Sequence, residues 1–136
     1  MTTKEWFSRC RRVDRRLNHL AEQRREEWDR ITSITAKPSG DVVDGTKDPH
    51  KFDRYAELDS MIGEEIKELL DIKIEVKAVI HQLKDLRHRD ILEKRYISMK
   101  SWEQIAVEMG YTYRRVTQLH GEALKAAEEY IDDKSL

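Results

Sequence analysis

Hydrophobic residues in the first third of the chain recur in alternating steps of four and three. The positions at this spacing are Trp6, Cys10, Val13, Leu17 and Leu20. This is the heptad pattern of a helix that packs along one stripe against another helix. The stripe weakens at Arg24 and Glu27 before Ile31, so we expect one helix of roughly 30 residues.

A second stripe predicts a longer helix, from Asp48 or Pro49 to about Leu83. Its apolar positions are Tyr55, Leu58, Ile62, Ile66, Leu69, Ile72, Val76, Ile80 and Leu83, with Met61 and Val79 beside them. Residues 33–48 between the two helices contain Pro38 and two glycines, which is typical of a loop. Because neither helix can bury its stripe alone, the two should form an antiparallel hairpin, pair with a second copy, or both.

The pattern changes near residue 85 and predicts three short helices. The first covers about residues 87–96 and ends at a break over residues 98–100. Ser101 and Gln104 then have the spacing of a capping box, and Gly110 is suited to end that helix. Thr112 is placed to cap a last helix over about residues 113–126. A capped helix, a glycine turn and another capped helix are typical of a helix-turn-helix.

The last helix carries side chains suited to reading DNA. Arginine can pair with guanine, glutamine with adenine, and threonine can touch the thymine methyl group. Arg114, Thr117 and Gln118 supply these types near the N-terminal half of the helix. The full predicted DNA-binding set is Tyr113, Arg114, Arg115, Thr117 and Gln118, with Lys100, Ser101 and Thr112 as backbone anchors. The alternative is a charged face that serves only solubility, but the two-helix pattern favours DNA.

Two aromatic residues and two histidines in the same region could have a functional or a structural role. We expect Tyr96 and Trp102 to belong to the core rather than to stack on bases. We expect His88 and His120 to lie at the surface or rim rather than to bind a ligand.

Composition narrows the class of protein. Charged residues make up 39% of the 136 residues and apolar ones 38%, with only two prolines, which favours an all-α protein with long solvated helices. The net charge of −1 provides no global basic field, so any affinity for DNA must come from a local patch. Such a patch is available, because residues 86–126 carry eight Lys/Arg against five Asp/Glu.

Cys10 is the single cysteine, so no internal disulfide can form, and a reduced cytoplasmic setting is expected. Its place on the first stripe indicates a small buried hydrophobe rather than a redox thiol. No signal peptide or membrane span is apparent. The chain also lacks a phosphate loop, a metal-spaced Cys/His set and a nucleophile motif, so we expect no enzyme, cofactor or metal site.

Residues 86–130 resemble region four, the C-terminal promoter-recognition domain, of bacterial sigma factors. The matching segments are LRHRDILEKRYI, SWEQIAVEMGYT and YRRVTQLHGEALKAAEEY. The whole chain resembles a family of small, mostly uncharacterised phage and prophage proteins of Gram-positive bacteria. The segments that carry this likeness are RRVDRRLNHL, ITSITA, SGDVVDG and HGEAL. Related phage proteins activate late transcription, which is the role the resemblance implies.

The resemblance places the base-contacting positions of region four on Tyr113, Arg114, Thr117 and Gln118. Only Gln118 keeps the residue type of primary sigma factors, so a different DNA sequence is implied. The other sigma domains are lacking, so a complete sigma factor is not expected.

The sequence therefore predicts a helical hairpin over residues 1–84, coiled-coil-like, and a helix-turn-helix domain over residues 85–136. The expected function is sequence-specific regulation of phage or prophage transcription in the cytoplasm of the bacterial host. The expected partners are double-stranded DNA, a second copy bound through the long helices, and RNA polymerase. Two alternatives stay open: a small terminase-like DNA-packaging protein, and a polymerase-binding adaptor that does not touch DNA.

Overall fold

The computed structural model describes residues 1–35 and 49–136, which contain helices and turns but no strand. The α-helices in this part are α1 (Thr3–Thr35), α2 (Asp53–Ile80), α3 (Leu86–Leu92), α4 (Trp102–Met109) and α5 (Tyr113–Ala127). A π-helical turn, Glu93–Ile97, follows α3, and two 3-10 turns, Glu128–Tyr130 and Asp133–Ser135, follow α5. The predicted all-α class is confirmed. None of the helices described is both long and apolar enough to cross a lipid bilayer.

The chain divides into two compact units. One consists of Met1–Arg12 and Leu69–Leu136, and the other of Val13–Glu68. The helices α1 and α2 each contribute to both units. The predicted division into domains 1–84 and 85–136 stays a prediction.

The unit Val13–Glu68 is an antiparallel pair of helical segments. Leu20, Leu58 and Ile62 are buried together, and Leu17 packs against them. Arg16 of α1 pairs with Glu65 of α2, while Arg24, further along α1, pairs with the earlier Asp59. Later positions of one helix thus meet earlier positions of the other, as in the predicted hairpin. The apolar cluster stabilises this pairing more than the exposed ion pairs do.

The register of α2 differs from the prediction at one position. Ile66 was expected on the inner stripe but is 45% exposed. The inward stripe runs Ile62, Glu65, Leu69, because these steps of three and four continue the heptad spacing. Glu65 is tolerated there since it is half-buried and its carboxylate meets the Arg16 guanidinium at 3.2 Å. Ile66 is therefore left facing outward.

The ends of the long helices also differ from the prediction. The first helix continues to Thr35, so the first three residues of the predicted loop 33–48 are helical. Residues 36–48 lie outside the described part of the chain. The second helix begins at Asp53, after a turn, and ends at Ile80 instead of Leu83. Beyond Ile80 the chain forms a turn in which the Leu83 N–H donates to the Ile80 carbonyl at 3.1 Å. The Arg89 guanidinium donates to the carbonyls of Leu83 and His81 in this turn, at 2.6 and 3.0 Å.

The short helix predicted over residues 87–96 consists of two parts. After α3, which is capped by the Asp85 side chain, the backbone widens into the π-helical turn Glu93–Ile97. The Ser98 N–H donates to the Glu93 carbonyl at 2.9 Å, and the predicted break follows with Met99 at φ 56°. The positive φ lets the chain reverse so that the Lys100 N–H reaches the Lys94 carbonyl at 2.9 Å.

The beginning of α1 belongs to the core of the unit that holds α3, α4 and α5. Trp6, Phe7 and Cys10 are buried. The Phe7 ring lies 5.3 Å from the Tyr96 ring, between centroids. Phe7 is off the predicted stripe, whereas the buried position predicted for Cys10 is confirmed. Burial raises the pKa of the Cys10 thiol to about 11, so it is protonated and unreactive at neutral pH.

Candidate nucleic-acid interface

The first helix of the predicted motif has the capping box that its sequence indicates. The Ser101 hydroxyl oxygen accepts from the Gln104 N–H at 3.2 Å, and the Gln104 side-chain oxygen accepts from the Ser101 N–H at 2.9 Å. Both donors would otherwise be unsatisfied at the start of α4. The caps thus fix where this helix begins.

A three-residue turn joins α4 to α5. Gly110 has φ 68° and ψ 31°, the left-handed conformation that glycine adopts without a Cβ clash. The Tyr111 N–H donates to the Ala106 carbonyl at 3.0 Å, closing the end of α4. The Thr112 hydroxyl oxygen then accepts from the Arg115 N–H at 3.1 Å and caps α5. The predicted turn residue Gly110 and the predicted cap Thr112 are confirmed.

One face of α5 is buried and the opposite face is open. Val116, Leu119 and Ala123 have no exposed surface, while Leu124 is half-buried. On the open face lie Tyr113, Arg114, Thr117 and Gln118, all exposed. The helix therefore presents the four predicted base-contacting side chains together.

The side chains on and beside the open face differ in the contacts that they make within the protein. In the described part of the chain Arg114 forms no ion pair. The Thr117 hydroxyl donates to the Arg114 carbonyl at 2.9 Å, which leaves its methyl group to face outward contacts. The half-buried Arg115 guanidinium lies 5.8 Å from the centroid of the Tyr111 ring.

The predicted backbone anchors are partly engaged within the protein. Ser101 and Thr112 act as cap acceptors, so each hydroxyl keeps its O–H for an outside acceptor. Lys100 Nζ lies 2.6 Å from a Glu108 oxygen, and Lys94 Nζ lies 3.1 Å from the other. Hydrogen bonds from Lys100 and then Lys94 hold the pKa of Glu108 below its usual range. A phosphate at Lys100 would have to compete with this carboxylate.

His120 is not at the rim, and that prediction is wrong. Its ring is 8% exposed, and Nε2 lies 2.7 Å from the Tyr96 hydroxyl oxygen. Burial, followed by the nearby charges of Lys4 and Arg95, lowers the His120 pKa to about 4, so the ring is neutral at pH 7. Tyr96 itself is buried, as predicted, and Trp102 is half-buried with its ring centroid 4.6 Å from that of His120. His88 is a rim residue, half-buried between Asp85 and Glu122.

Two arginines outside the predicted set lie beside this surface. The Arg95 guanidinium lies 4.1 Å from the centroid of the Trp102 ring and donates to the Lys100 carbonyl at 3.1 Å. Arg11 of α1 donates to the Arg95 carbonyl at 3.0 Å. The sequence shows a basic outer face on the first helix, but nothing in its spacing indicates this contact.

No group of three or more His, Cys, Asp or Glu suited to a metal ion occurs in residues 1–35 and 49–136.

Comparisons with known proteins place the chain in one family. Neither a curated protein nor a solved structure matches the chain. Residues 30–128, which include α2 and both helices of the candidate interface, match a family described as a protein of unknown function, DUF1492. The chain belongs to the DUF1492 family.

Proposed function

We propose that the protein is a sequence-specific double-stranded DNA-binding regulator of transcription, with α4 and α5 as a helix-turn-helix and α5 as its recognition helix. The observation that carries the proposal is the capped helix, glycine turn and capped helix that leave Arg114, Thr117 and Gln118 on one open face. An amphipathic helix whose open face holds these residue types is what major-groove recognition requires.

The chemistry of the open face supports base reading rather than charge attraction alone. Arg114 and Gln118 are four residues apart, so they lie one turn apart on the same side of α5. Arginine can donate two hydrogen bonds to guanine, and glutamine can donate and accept with adenine. Since the whole chain carries a net charge of −1, the protein gains little from non-specific attraction and depends on such local contacts.

The target and setting of the proposed activity rest on the sequence resemblances. The likeness of residues 86–130 to sigma region four supports a role in transcription, with RNA polymerase as a second partner. The likeness of the chain to phage and prophage proteins supports phage or prophage genes as the targets, in the bacterial cytoplasm.

The proposal includes a homodimer formed through the long helices. Exposed apolar side chains recur along α2 at Ile66, Leu70 and Ile74, at intervals of four residues. Apart from its chain neighbours and the backbone of its own helix, no described residue has a heavy atom within 4 Å of a Cβ built on Gly63, one turn earlier, so a neighbouring helix can approach there. A two-fold dimer would present two copies of α5 to two half-sites.

In-vitro selection from a random DNA pool, followed by binding measurements, tests the proposal. We expect an enriched site for the wild type. The double variant Arg114→Ala with Gln118→Ala should bind it at least ~30-fold more weakly, because each base contact contributes about 1–3 kcal/mol. Lys125→Ala, which removes one exposed charge from the same helix, is the control and should keep the site preference.

Other outcomes would favour the two alternatives. A selection that enriches nothing, with binding to RNA polymerase intact, would support an adaptor that does not touch DNA. A large ring of subunits in a mass measurement would support DNA packaging. Unchanged affinity and selectivity in the double variant would show that the site assignment on α5 is wrong.

A further inference from the structure

The beginning of α1 holds an arginine against the candidate interface. The Arg11 guanidinium donates one hydrogen bond to the Arg95 carbonyl at 3.0 Å. A guanidinium has five N–H donors, so most of those of Arg11 remain for another acceptor. The burial of Phe7 against Tyr96, one turn earlier on α1, fixes this end of the helix.

Arg11 and Arg95 form a basic pair, and the charge of Glu103 offsets that of Arg95 only in part. Some other arginines meet carboxylates directly, as in Arg9 with Glu75 and Arg87 with Asp85, whereas Arg114 does not. Over residues 1–35 and 49–136 neither Arg11 nor Arg95 has a carboxylate within 4 Å. Burial and then the charge of Arg11 hold the pKa of Arg95 below its usual range. Arg11 contacts the Arg95 backbone and its charge acts on the Arg95 guanidinium, so an anion from outside would stabilise both charges.

The position of the pair matches the path expected for a DNA backbone. Arg95 donates to the Lys100 carbonyl and covers the Trp102 ring, so it lies beside the capped start of α4. The pair therefore lies next to the beginning of α4, where phosphates approach when the recognition helix that follows enters the major groove.

We propose that Arg11, held against Arg95, binds a backbone phosphate of the DNA duplex that α5 reads, so that the N-terminal helix forms part of the DNA interface. This inference rests on the proposed function. A phosphate contact positions the duplex without reading its sequence. Arg11 should therefore contribute equally to specific and non-specific binding.

Duplex binding by the full chain across a salt series tests the inference. For Arg11→Gln we expect about tenfold weaker binding near 0.1 M salt, on the selected site and on an unrelated duplex alike. The slope of log affinity against log salt should fall by about 0.9, the value for one phosphate. Arg11→Lys, which keeps the charge, should restore most of the slope.

Arg9→Gln is the matched control. Arg9 lies on the same helix and also donates to a backbone carbonyl, that of Trp6 at 2.9 Å, but its charge is met by Glu75. It should keep the wild-type slope, and thermal melting of both variants separates binding from folding. If the wild type binds DNA and Arg11→Gln keeps the wild-type slope, the inference about Arg11 is wrong, but the proposed function is not affected. An equal loss of slope in Arg9→Gln also overturns it. A wild type that retards no duplex at low salt overturns the proposed function itself.

Discussion

The buried His120 makes the stability of the unit that holds α3, α4 and α5 depend on pH. His120 is buried against Tyr96 and Trp102, and its pKa is lowered to about 4 from an ordinary value of 6.5. Between these values the unfolded chain binds a proton that the folded chain does not. Stability therefore falls as the pH drops from about 6.5 to about 4, by up to on the order of 3 kcal/mol.

We predict that His120→Gln loses this part of the pH dependence, because its amide is neutral and can accept from the Tyr96 hydroxyl. Urea unfolding of the wild type and the variant at about pH 7 and about pH 4.5 measures it. The difference in unfolding free energy between the wild type and His120→Gln should change by roughly 1–3 kcal/mol between the two pH values. His19→Gln, at an exposed position, should follow the wild type. Parallel curves for wild type and His120→Gln would contradict the prediction.

Residue positions could be predicted where burial follows the local pattern, but not where it depends on a distant partner. Val116 and Leu119 are buried as the spacing of apolar residues on α5 indicates. His120 is buried because a hydroxyl 24 positions earlier in the chain satisfies its ring nitrogen. Arg11 approaches Arg95 across 84 positions. Neither partner can be recognised from the spacing of one helix.

At the scale of elements, two glycines in the α4–α5 region should respond oppositely to the same substitution. Apart from adjacent residues and the local helix backbone, no described residue has a heavy atom within 4 Å of a Cβ built on Gly110 or Gly121, so neither site is crowded. The two differ in backbone conformation, since Gly110 has φ 68° and Gly121 lies within α5. Gly110→Ala should destabilise by about 1 kcal/mol, whereas Gly121→Ala should stabilise by up to about 1 kcal/mol.

Denaturant midpoints of the two variants, compared at equal m-values, check this prediction. Because both changes add one methyl group in open space, each variant is the control for the other. Equal shifts in the same direction would show that backbone conformation at the turn does not limit stability. A stabilised Gly110→Ala would show that the left-handed turn is not required.

Elements were predictable where their limits are set by neighbouring residues. The capping box at Ser101, the turn at Gly110 and the cap at Thr112 were all identified because each acts over three or four positions. The end of α2 at Ile80 was not, since no glycine or proline marks it, and the carbonyls of the following turn are bonded by Arg89, six and eight positions later. The π-helical turn Glu93–Ile97 likewise has no signature in the spacing of apolar residues.

At the scale of the whole molecule, the proposed homodimer rests on the outward face of α2. Leu70 is 56% and Ile74 is 68% exposed, and Ile66 faces outward one turn before them. Large apolar side chains that recur on one open face of a helix are typical of a protein interface rather than of scattered exposure. Pairing of this face with a second copy would bury it and would supply the two recognition helices that a palindromic site needs.

We predict that Leu70→Glu with Ile74→Glu converts a dimer into a monomer at micromolar concentration, because four carboxylates would then meet in an apolar interface. Light scattering or sedimentation gives the mass, and circular dichroism should show an unchanged helix content since both side chains are exposed. Asn18→Glu with Gln82→Glu, at exposed positions outside this face, adds the same charge and should stay dimeric. The monomeric variant should still bind a single half-site. Unlike the dimer, it should bind a palindrome no more tightly than a half-site, because only linked recognition helices gain affinity from two sites. A monomeric wild type, or a double variant as dimeric as the wild type, would show that α2 does not join two copies.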